Sequence, residues 1–335
     1  MRYLFFGFIF CIVLFAQFFF KGKYLFPGSF IVSQYEPWKS EMGQGEAPTI
    51  VHKPLADDVF RQLYPMKKLA AEAFSKFQLP LWNPYNGAGQ PLLATMHPGY
   101  LNPFSLILSL FPNGFGWTLY VFLQVPMLLI GMFLYMRILG VSRFGALISS
   151  MVLSLSGFVT VRLVYGDYVY ALSFFVLLLA SIEWYRSHEH HRASLIASAL
   201  LTASIWFSTQ PQIALYLLGF VFFYLIFCVY PKTLTRLSSR VRSDGVAIFY
   251  QRGWFYDTIK LRLIIFVALL LGTGIASIQL LPTLELYRLS VIDAGTSSFI
   301  IDRFLLPFTH FISLLIPNFF WQSGDVQLFW SGGFC

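Results

Sequence analysis

The sequence predicts an all-α protein that crosses a membrane about seven times and has a large loop between its first two spans. Of the 335 residues, 57% are hydrophobic and only 11% are charged, whereas soluble domains have about 25% charged residues. Apolar runs of about the length that a bilayer requires also recur along the chain. These observations exclude an ordinary soluble globular protein.

The first span is expected at residues 3–20, and Lys21 and Lys23 follow it. We interpret it as a retained helix, because its apolar part is longer than that of a usual signal peptide and no small-residue cleavage site follows. A further apolar piece, residues 304–320, contains Pro307 and Pro317 and is typical of a re-entrant or interfacial segment. Six more spans are expected at residues 115–136, 144–161, 168–185, 194–207, 212–230 and 263–281.

Lysine and arginine are concentrated in alternate turns between these spans. The turns near residues 137–143, 186–192 and 232–262 are basic, whereas the intervening turns contain only Arg162. Because cytoplasmic loops carry the excess of basic residues, this pattern predicts a cytoplasmic N-terminus. It also accounts for the net charge of +8 without a nucleic-acid partner, since no basic run stands on a soluble module.

The chain therefore divides into four parts. These are a first helix (1–20), an extracytoplasmic loop with the candidate site (21–114), a six-helix membrane domain (115–281) and a second extracytoplasmic segment (282–335). Within the loop, apolar residues recur at helical spacing and predict a short amphipathic helix on the membrane surface. Its apolar residues are Met66, Ala70, Ala73 and Phe77, and Lys67, Lys68, Glu72 and Lys76 stand between them. Pro65 suits its first turn, and Pro80 is expected to end it.

Two adjacent carboxylates, Asp57 and Asp58, are the first candidates for chemistry. Such a pair can act as a general base or bind a divalent cation, and adjacent like charges raise the pKa of one member. Helical i,i+4 spacing places Asp58 on the same face as Gln62. The alternative is that an aspartate here is the N-cap of the following helix.

Residues 80–91, PLWNPYNGAGQP, are a second candidate. Trp82, Asn83 and Tyr85 offer aromatic faces and an amide, which suit a sugar or an amphipathic head group, and the glycines at 87 and 89 allow close approach of the backbone. The alternative is an aromatic anchor at the membrane interface, followed by a turn.

Arg162 and His97 are two further candidates for binding or catalysis. Arg162 stands at the outer end of a predicted span, where a guanidinium can bind a lipid phosphate with two hydrogen bonds; the alternative is a side chain that reaches to the interface. His97 is either a base or a structural hydrogen-bond donor. Residues 187–192, SHEHHR, fit no standard zinc spacing and are interpreted as a basic loop.

Several blocks of the sequence resemble the YfhO family of bacterial membrane proteins. They follow the order of the family from the first helix to about residue 320, and PLWNPY after an Asp–Gln–Pro pattern is the most specific block. The blocks are DVFRQLYP (58–65), LPLWNPYNGAGQPLLA (79–94), HPGYLNPFSLIL (97–108), LSGFVTVRL (155–163), TQPQIALYLL (209–218) and IQLLPTLELYRLS (278–290). The family is similar to the GT-C glycosyltransferases, multi-span enzymes that use polyprenyl-phosphate sugars and have an acidic residue in the first outer loop as catalytic base.

The resemblance implies a GT-C-like fold in the bacterial cytoplasmic (inner) membrane. It assigns the role of base to Asp58, with Asp57 as its neighbour. The expected donor is a polyprenyl-phosphate-linked sugar, and the expected acceptor is a cell-envelope glycopolymer or glycolipid at the membrane lipid surface. Lys67, Lys68 or Arg162 would stabilise the departing phosphate.

The resemblance also implies that Trp82 and Tyr85 stack on the sugar. Family members are usually longer, so we expect this chain to be an N-terminal portion of a longer protein. The family often has His and Gly in the turn before the fourth span, where this chain has Gly166 and Asp167, and again before the later Pro–Gln pair, where it has Ser208.

The alternative function is a non-enzymatic carrier, flippase or assembly factor for cell-envelope glycopolymers. A carrier needs polar or charged residues deep inside its spans, and the clearest candidates here lie at span ends. No Walker loop, dinucleotide fingerprint, nucleophile elbow or metalloprotease helix occurs in the sequence, so no soluble cofactor is expected. The acidic pair at residues 57 and 58 fits a site with a bound divalent cation and equally a site without one.

Overall fold

The structure is a computed structural model that describes residues 2–26, 28, 35–37, 40, 58–97, 99–187, 192–208, 210–230 and 252–289. Among these residues, helices dominate and the only strands are a pair of two-residue segments. The predicted all-α class is therefore confirmed. Two compact units occur, residues 1–283 and residues 284–335, and the described part of the second is the end of one helix.

The helices are numbered in chain order. They are α1 (Arg2–Leu14), α2 (Ala16–Lys21), α3 (Tyr64–Ser75), α4 (Leu106–Leu110), α5 (Gly114–Ile138), α6 (Arg143–Ser154), α7 (Gly157–Arg162), α8 (Tyr168–Ser187), α9 (Arg192–Ser208), α10 (Pro211–Phe227), α11 (Arg252–Ile275) and α12 (Ser277–Leu289). A π-helical turn (Val59–Leu63) precedes α3, and short 3-10 turns occupy Leu93–Thr95, Pro103–Ser105 and Leu163–Tyr165. Strands β1 (Trp82–Asn83) and β2 (Gln90–Pro91) pair antiparallel, with Trp82 opposite Pro91 and Asn83 opposite Gln90.

Three helical segments are long and apolar enough to cross a membrane: α5, α8 and the part of α11 from Tyr256 to Ile275. A fourth candidate is the pair formed by α6 and the helical residues Gly157–Tyr165, which are bent by 45° relative to each other. The other apolar helices, α1, α9 and α10, are shorter than a usual span. The described residues thus support a multi-pass membrane protein with three or four candidate spans, which is a coarser result than the seven spans expected.

The first and third predicted spans, residues 3–20 and 144–161, are broken in the structure. The apolar run at 3–20 forms α1 and α2, which are separated at Phe15. The run at 144–161 breaks because Ser156 begins a new helix, its hydroxyl accepting a hydrogen bond from the Val159 N–H at 3.5 Å. Continuous hydrophobicity conceals such breaks, since a serine N-cap adds little polarity to the run.

The last predicted span was placed too far along the chain. Its apolar helix covers Tyr256–Ile275 rather than 263–281, so Arg262 lies inside it. The Arg262 Nε donates to the Val229 carbonyl at 3.1 Å, and the guanidinium lies 5.0 Å from the centre of the Tyr230 ring. A long arginine can satisfy its charge in this way while its backbone remains in an apolar helix.

The helices of the membrane domain pack in a row in which α8 lies between α5 and α9. Helix α5 also packs on α6 and α1, and α9 packs on α11. Close approach is possible at Gly272, where a Cβ atom would lie only 2.3 Å from the Ala199 carbonyl oxygen. Such contacts through small residues are typical of helix packing in membranes.

Helix α3 lies on α4 and buries Met66, Lys67, Ala70 and Ala71. Pro65 occupies its first turn as predicted. The expected apolar face is confirmed at Met66 and Ala70, which are each 3% exposed, but it is wrong at Phe77, which lies beyond the end of the helix and is 96% exposed. Lys67, expected on the polar side, is only 2% exposed. The physical reason is that protein, including the buried Asp167, covers this face of α3, so that a lysine can be buried there.

Candidate functional site

A buried ion pair connects the long loop to the membrane domain. The Lys67 ammonium on α3 lies 2.6 Å from the Asp167 carboxylate, and the two side chains are 1% and 7% exposed. Asp167 stands in the turn just before α8, and the preceding Gly166 has a φ of +77°. A Cβ atom at Gly166 would lie 3.0 Å from the Tyr120 ring, so glycine suits both the conformation and the space.

Polar groups surround the Lys67 ammonium. The centre of the Tyr120 ring lies 5.5 Å from Nζ, and the Tyr120 hydroxyl accepts a hydrogen bond from the Asn102 amide at 3.3 Å. Gly99 lies against the ammonium, since a Cβ atom there would be 3.0 Å from Nζ. We call Lys67, Asp167, Tyr120 and Asn102 the lysine cluster; all four side chains are buried.

The charge of Lys67 is stabilised inside this cluster. Burial disfavours the ammonium, but the Asp167 carboxylate and the Tyr120 hydroxyl outweigh burial, so that the pKa of Lys67 is raised. The ammonium therefore stays charged at neutral pH and faces its partners within the protein. The sequence-based expectation of a lysine on the polar face of the helix is wrong, because the side chain points into this cluster.

The charges of Asp167, Lys67 and Asp58 all act on the His97 side chain. Among the described residues, its buried Nδ1 has no hydrogen-bond partner. Burial lowers the pKa of His97, and the nearby Asp167 and Asp58 carboxylates oppose that shift. The imidazole is therefore mainly neutral at pH 7 and retains an unused hydrogen-bonding nitrogen.

Asp58 is exposed and stands directly before the π-helical turn. Its side chain makes no capping hydrogen bond, so the alternative role as a helix N-cap is not seen. Gln62, in the same turn, is half-buried, and Asp57 lies outside the described residues.

Arg162 lies near the turn that follows Asp58. That π-helical turn packs on the 3-10 turn Leu163–Tyr165, which directly follows Arg162. The guanidinium lies 5.5 Å from the Tyr165 ring centre and 4.9 Å from the Tyr168 ring centre. The Asp58 charge acts on both His97 and Tyr168. We call Asp58, His97 and Arg162 the rim, since the Asp58 charge acts on His97 and on Tyr168, the ring against which the Arg162 guanidinium lies.

The hairpin residues take different positions. Asn83 is buried, and its side-chain oxygen accepts the Tyr85 backbone N–H at 3.0 Å. Trp82 is 56% exposed and Tyr85 is 85% exposed. Among the described residues, no hydrogen bond, ion pair or ring contact joins these three residues to the rim. The described contacts therefore do not join the two sequence-predicted halves of the site.

Lys68 is exposed at a shallow cleft between α3 and α4 that Tyr64, Leu108 and Phe111 also line.

Among the described residues, no three His, Cys, Asp or Glu side chains form a group that could hold a metal ion. Asp57 is not among them, so the predicted divalent cation stays a prediction.

Sequence reasoning missed the partners of Lys67. Asp167 carried a signal, since an acid in a short turn between spans is rare in a chain with 11% charged residues. Tyr120 and Asn102 carried none, because one lies within an apolar run and the other within a Pro- and Gly-rich stretch. No family model, curated protein or solved structure matches the chain. The resemblance to the YfhO family therefore rests on the sequence blocks alone.

Proposed function

We propose that this protein is a membrane glycosyltransferase of the GT-C type, which transfers a sugar from a polyprenyl-phosphate donor to a cell-envelope polymer or lipid on the outer face of the bacterial inner membrane. The observation that carries the proposal is the rim. It combines an exposed carboxylate, a neutral imidazole and a guanidinium at one end of a group of candidate membrane spans. A lipid-linked sugar would present its phosphate and sugar at such a surface.

In this mechanism Asp58 is the general base. The acceptor hydroxyl oxygen forms a bond with the anomeric carbon while the bond from that carbon to the phosphate oxygen breaks. The hydroxyl proton passes to the Asp58 carboxylate, and the polyprenyl phosphate leaves with the bonding electrons. The carboxylate suits this task because it is exposed and makes no capping hydrogen bond.

Arg162 is the best-placed group for the departing phosphate. Its planar guanidinium can donate two parallel hydrogen bonds to phosphate oxygens, and the rings of Tyr165 and Tyr168 hold it in place. Lys68 is exposed and can contribute charge. Lys67 is already paired with Asp167 in this arrangement, so we assign it to holding the loop in position.

The hairpin residues that the resemblance assigns to the sugar differ in their exposure. Trp82 and Tyr85 are exposed, but Asn83 uses its oxygen within the hairpin.

A carrier or flippase, the alternative, is not favoured by the polar residues inside the described spans. Gln124 donates to the Val121 and Leu163 carbonyls, and Glu183 pairs with Arg186 on its own helix and accepts a hydrogen bond from Tyr224 on α10, so both side chains are engaged within the protein.

The test is sugar transfer by the protein in membranes supplied with radiolabelled polyprenyl-phosphate sugars. Asp58→Asn should reduce kcat by at least about 100-fold, the usual contribution of a general base. The matched control is Glu72→Gln, which removes another exposed carboxylate from the same loop and should leave transfer unchanged. Equal transfer by wild type and Asp58→Asn would refute the base assignment, and no transfer by wild type from several donors would favour the carrier.

A further inference from the structure

The segment from residue 77 to residue 85, here called the apolar hairpin arm, exposes large apolar side chains close together in sequence. Phe77 is 96% exposed and Tyr85 is 85% exposed, and Leu79, Leu81 and Trp82 are each about half exposed or more. Its three aromatic side chains alone leave on the order of 400 Å² of ring surface uncovered. That is comparable with the largest apolar patch of a typical soluble monomer, and such patches mark interaction surfaces.

The backbone of the arm already satisfies much of its own hydrogen bonding. The N–H groups of residues 77 and 78 donate to carbonyls of α3, and the Leu81 N–H donates to the Leu79 carbonyl at 2.9 Å. The Leu92 N–H donates to the Leu81 carbonyl at 2.9 Å, and the Tyr85 N–H donates to Asn83. A segment with paired backbone groups loses less free energy on leaving water than an open loop does.

The arm is held at the end of the membrane helices. The Thr283 hydroxyl on α12 donates to the Ala94 carbonyl, just after β2, at 2.9 Å. Thr283 lies eight residues beyond Ile275, the last residue of a candidate span, and because α11 ends at Ile275 and α12 begins at Ser277, these residues correspond to at most about 12 Å of helical rise. The Tyr100 hydroxyl also donates to the Gln78 carbonyl at 3.0 Å. The arm therefore lies beside the level at which the bilayer surface is expected.

The side chains of the arm suit lipid better than sugar or water. Phe77, Leu79 and Leu81 carry no group that can hydrogen-bond a sugar hydroxyl, and the Asn83 amide is turned inward. Tryptophan and tyrosine are the residues that prefer the membrane interface. Lys68 and Lys76 are exposed on or next to the adjoining helix, with Glu72 as the one exposed acid between them, so the net local charge favours anionic phosphates.

We propose that the apolar hairpin arm inserts into the head-group region of the leaflet on its own side and anchors the loop to the bilayer. The occupant of this exposed surface is lipid, not a sugar and not a second protein. The helix α3, which the sequence places on the membrane, instead packs on protein. This inference does not depend on the proposed enzymatic function.

The test measures the surroundings of a probe on the arm in the full chain. Cys11, Cys228 and Cys335 are replaced by Ala or Ser, Leu81→Cys is introduced, and the thiol is labelled with the fluorophore NBD. The protein is placed in nanodiscs of phosphatidylcholine and phosphatidylglycerol, with both faces open to the solution. Emission is recorded with nitroxide-labelled lipid and, separately, with iodide as the aqueous quencher.

The matched control is Glu72→Cys, an exposed position on α3 outside the arm. We expect a blue-shifted emission at position 81, several-fold stronger quenching by nitroxide lipid than at position 72, and weaker quenching by iodide. Tyr85→Cys should behave like Leu81→Cys, which guards against a local effect of one substitution. Equal iodide quenching at positions 72, 81 and 85 would overturn the inference in favour of a water-exposed surface. Protection from both quenchers would overturn it in favour of a protein partner.

Discussion

Replacement of Lys67 by methionine should destabilise the protein strongly, although the residue lies in a polar loop. The Lys67 and Asp167 side chains are 1% and 7% exposed, and their charged atoms are 2.6 Å apart. At an effective dielectric constant of 20, this distance corresponds to an attraction of about 6 kcal/mol. Lys67→Met removes that attraction and leaves the Asp167 carboxylate buried without its cation. We expect a loss of about 3–5 kcal/mol in the free energy of unfolding.

The double variant separates attraction from the cost of burial. Replacing both partners, as Lys67→Met with Asp167→Leu, removes two buried charges together. Because such replacements are often neutral or stabilising, the double variant should be within about 1 kcal/mol of wild type or more stable. The coupling energy of the cycle should therefore be at least about 3 kcal/mol, the lower end of the cost of an unpaired buried charge.

The assay is equilibrium unfolding in mixed micelles with an increasing fraction of sodium dodecyl sulfate, followed by tryptophan fluorescence. Lys68→Met is the control, since it makes the same substitution one residue away at an exposed position and should change stability by less than about 0.5 kcal/mol. If Lys67→Met costs no more than Lys68→Met, the ion pair does not support the fold and the reasoning is wrong.

Three further predictions follow from buried polar contacts. Because the pKa of His97 is lowered in the folded state, the unfolded state binds more protons than the folded state below about pH 6.5. The melting temperature of wild type should therefore fall between pH 7.5 and pH 5.5, and it should fall less in His97→Gln. An equal dependence of melting temperature on pH in the two proteins would contradict this prediction. Gln124→Leu removes two side-chain hydrogen bonds to backbone carbonyls and should cost about 1 kcal/mol in the same unfolding assay; an unchanged midpoint would contradict it. Tyr224→Phe removes the 2.6 Å hydrogen bond to the buried Glu183 carboxylate and should cost about 1.5–3 kcal/mol, whereas the exposed control Tyr216→Phe should cost much less.

The sequence predicted those parts of the fold that depend on long apolar runs. Residues 115–136 and 168–185 were expected to be spans, and α5 and α8 cover them. Hydrophobicity determines such helices because a bilayer accepts only long apolar segments with paired backbone groups. Breaks within a run depend instead on one side chain at a cap, as at Ser156, and a sum over apolar residues cannot detect them.

The candidate site was predictable only where chemistry and position coincide. Asp58, His97 and Arg162 were each chosen from the sequence, and the Asp58 charge acts on His97 and on Tyr168, which contacts Arg162. The burial of Lys67 was not predictable, because a lysine between Met66 and Lys68 is normally on the polar face of such a helix. Only the approach of Asp167, from a turn one hundred residues further along the chain, makes burial possible.

The distribution of ionisable groups links the fold to the proposed chemistry. Lys67 and Asp167 neutralise each other, so a buried contact fixes the loop on the turn before α8 without adding net charge to the surface. The Asp58 turn lies just before α3, and Arg162 lies just before the Asp167 turn. The ion pair therefore acts together with the packing of the Val59–Leu63 turn on the Leu163–Tyr165 turn to set the separation of the carboxylate and the guanidinium in the proposed mechanism. A loose loop would leave Asp58 without a fixed position relative to the phosphate, and positioning to within about 1 Å is what such a mechanism depends on.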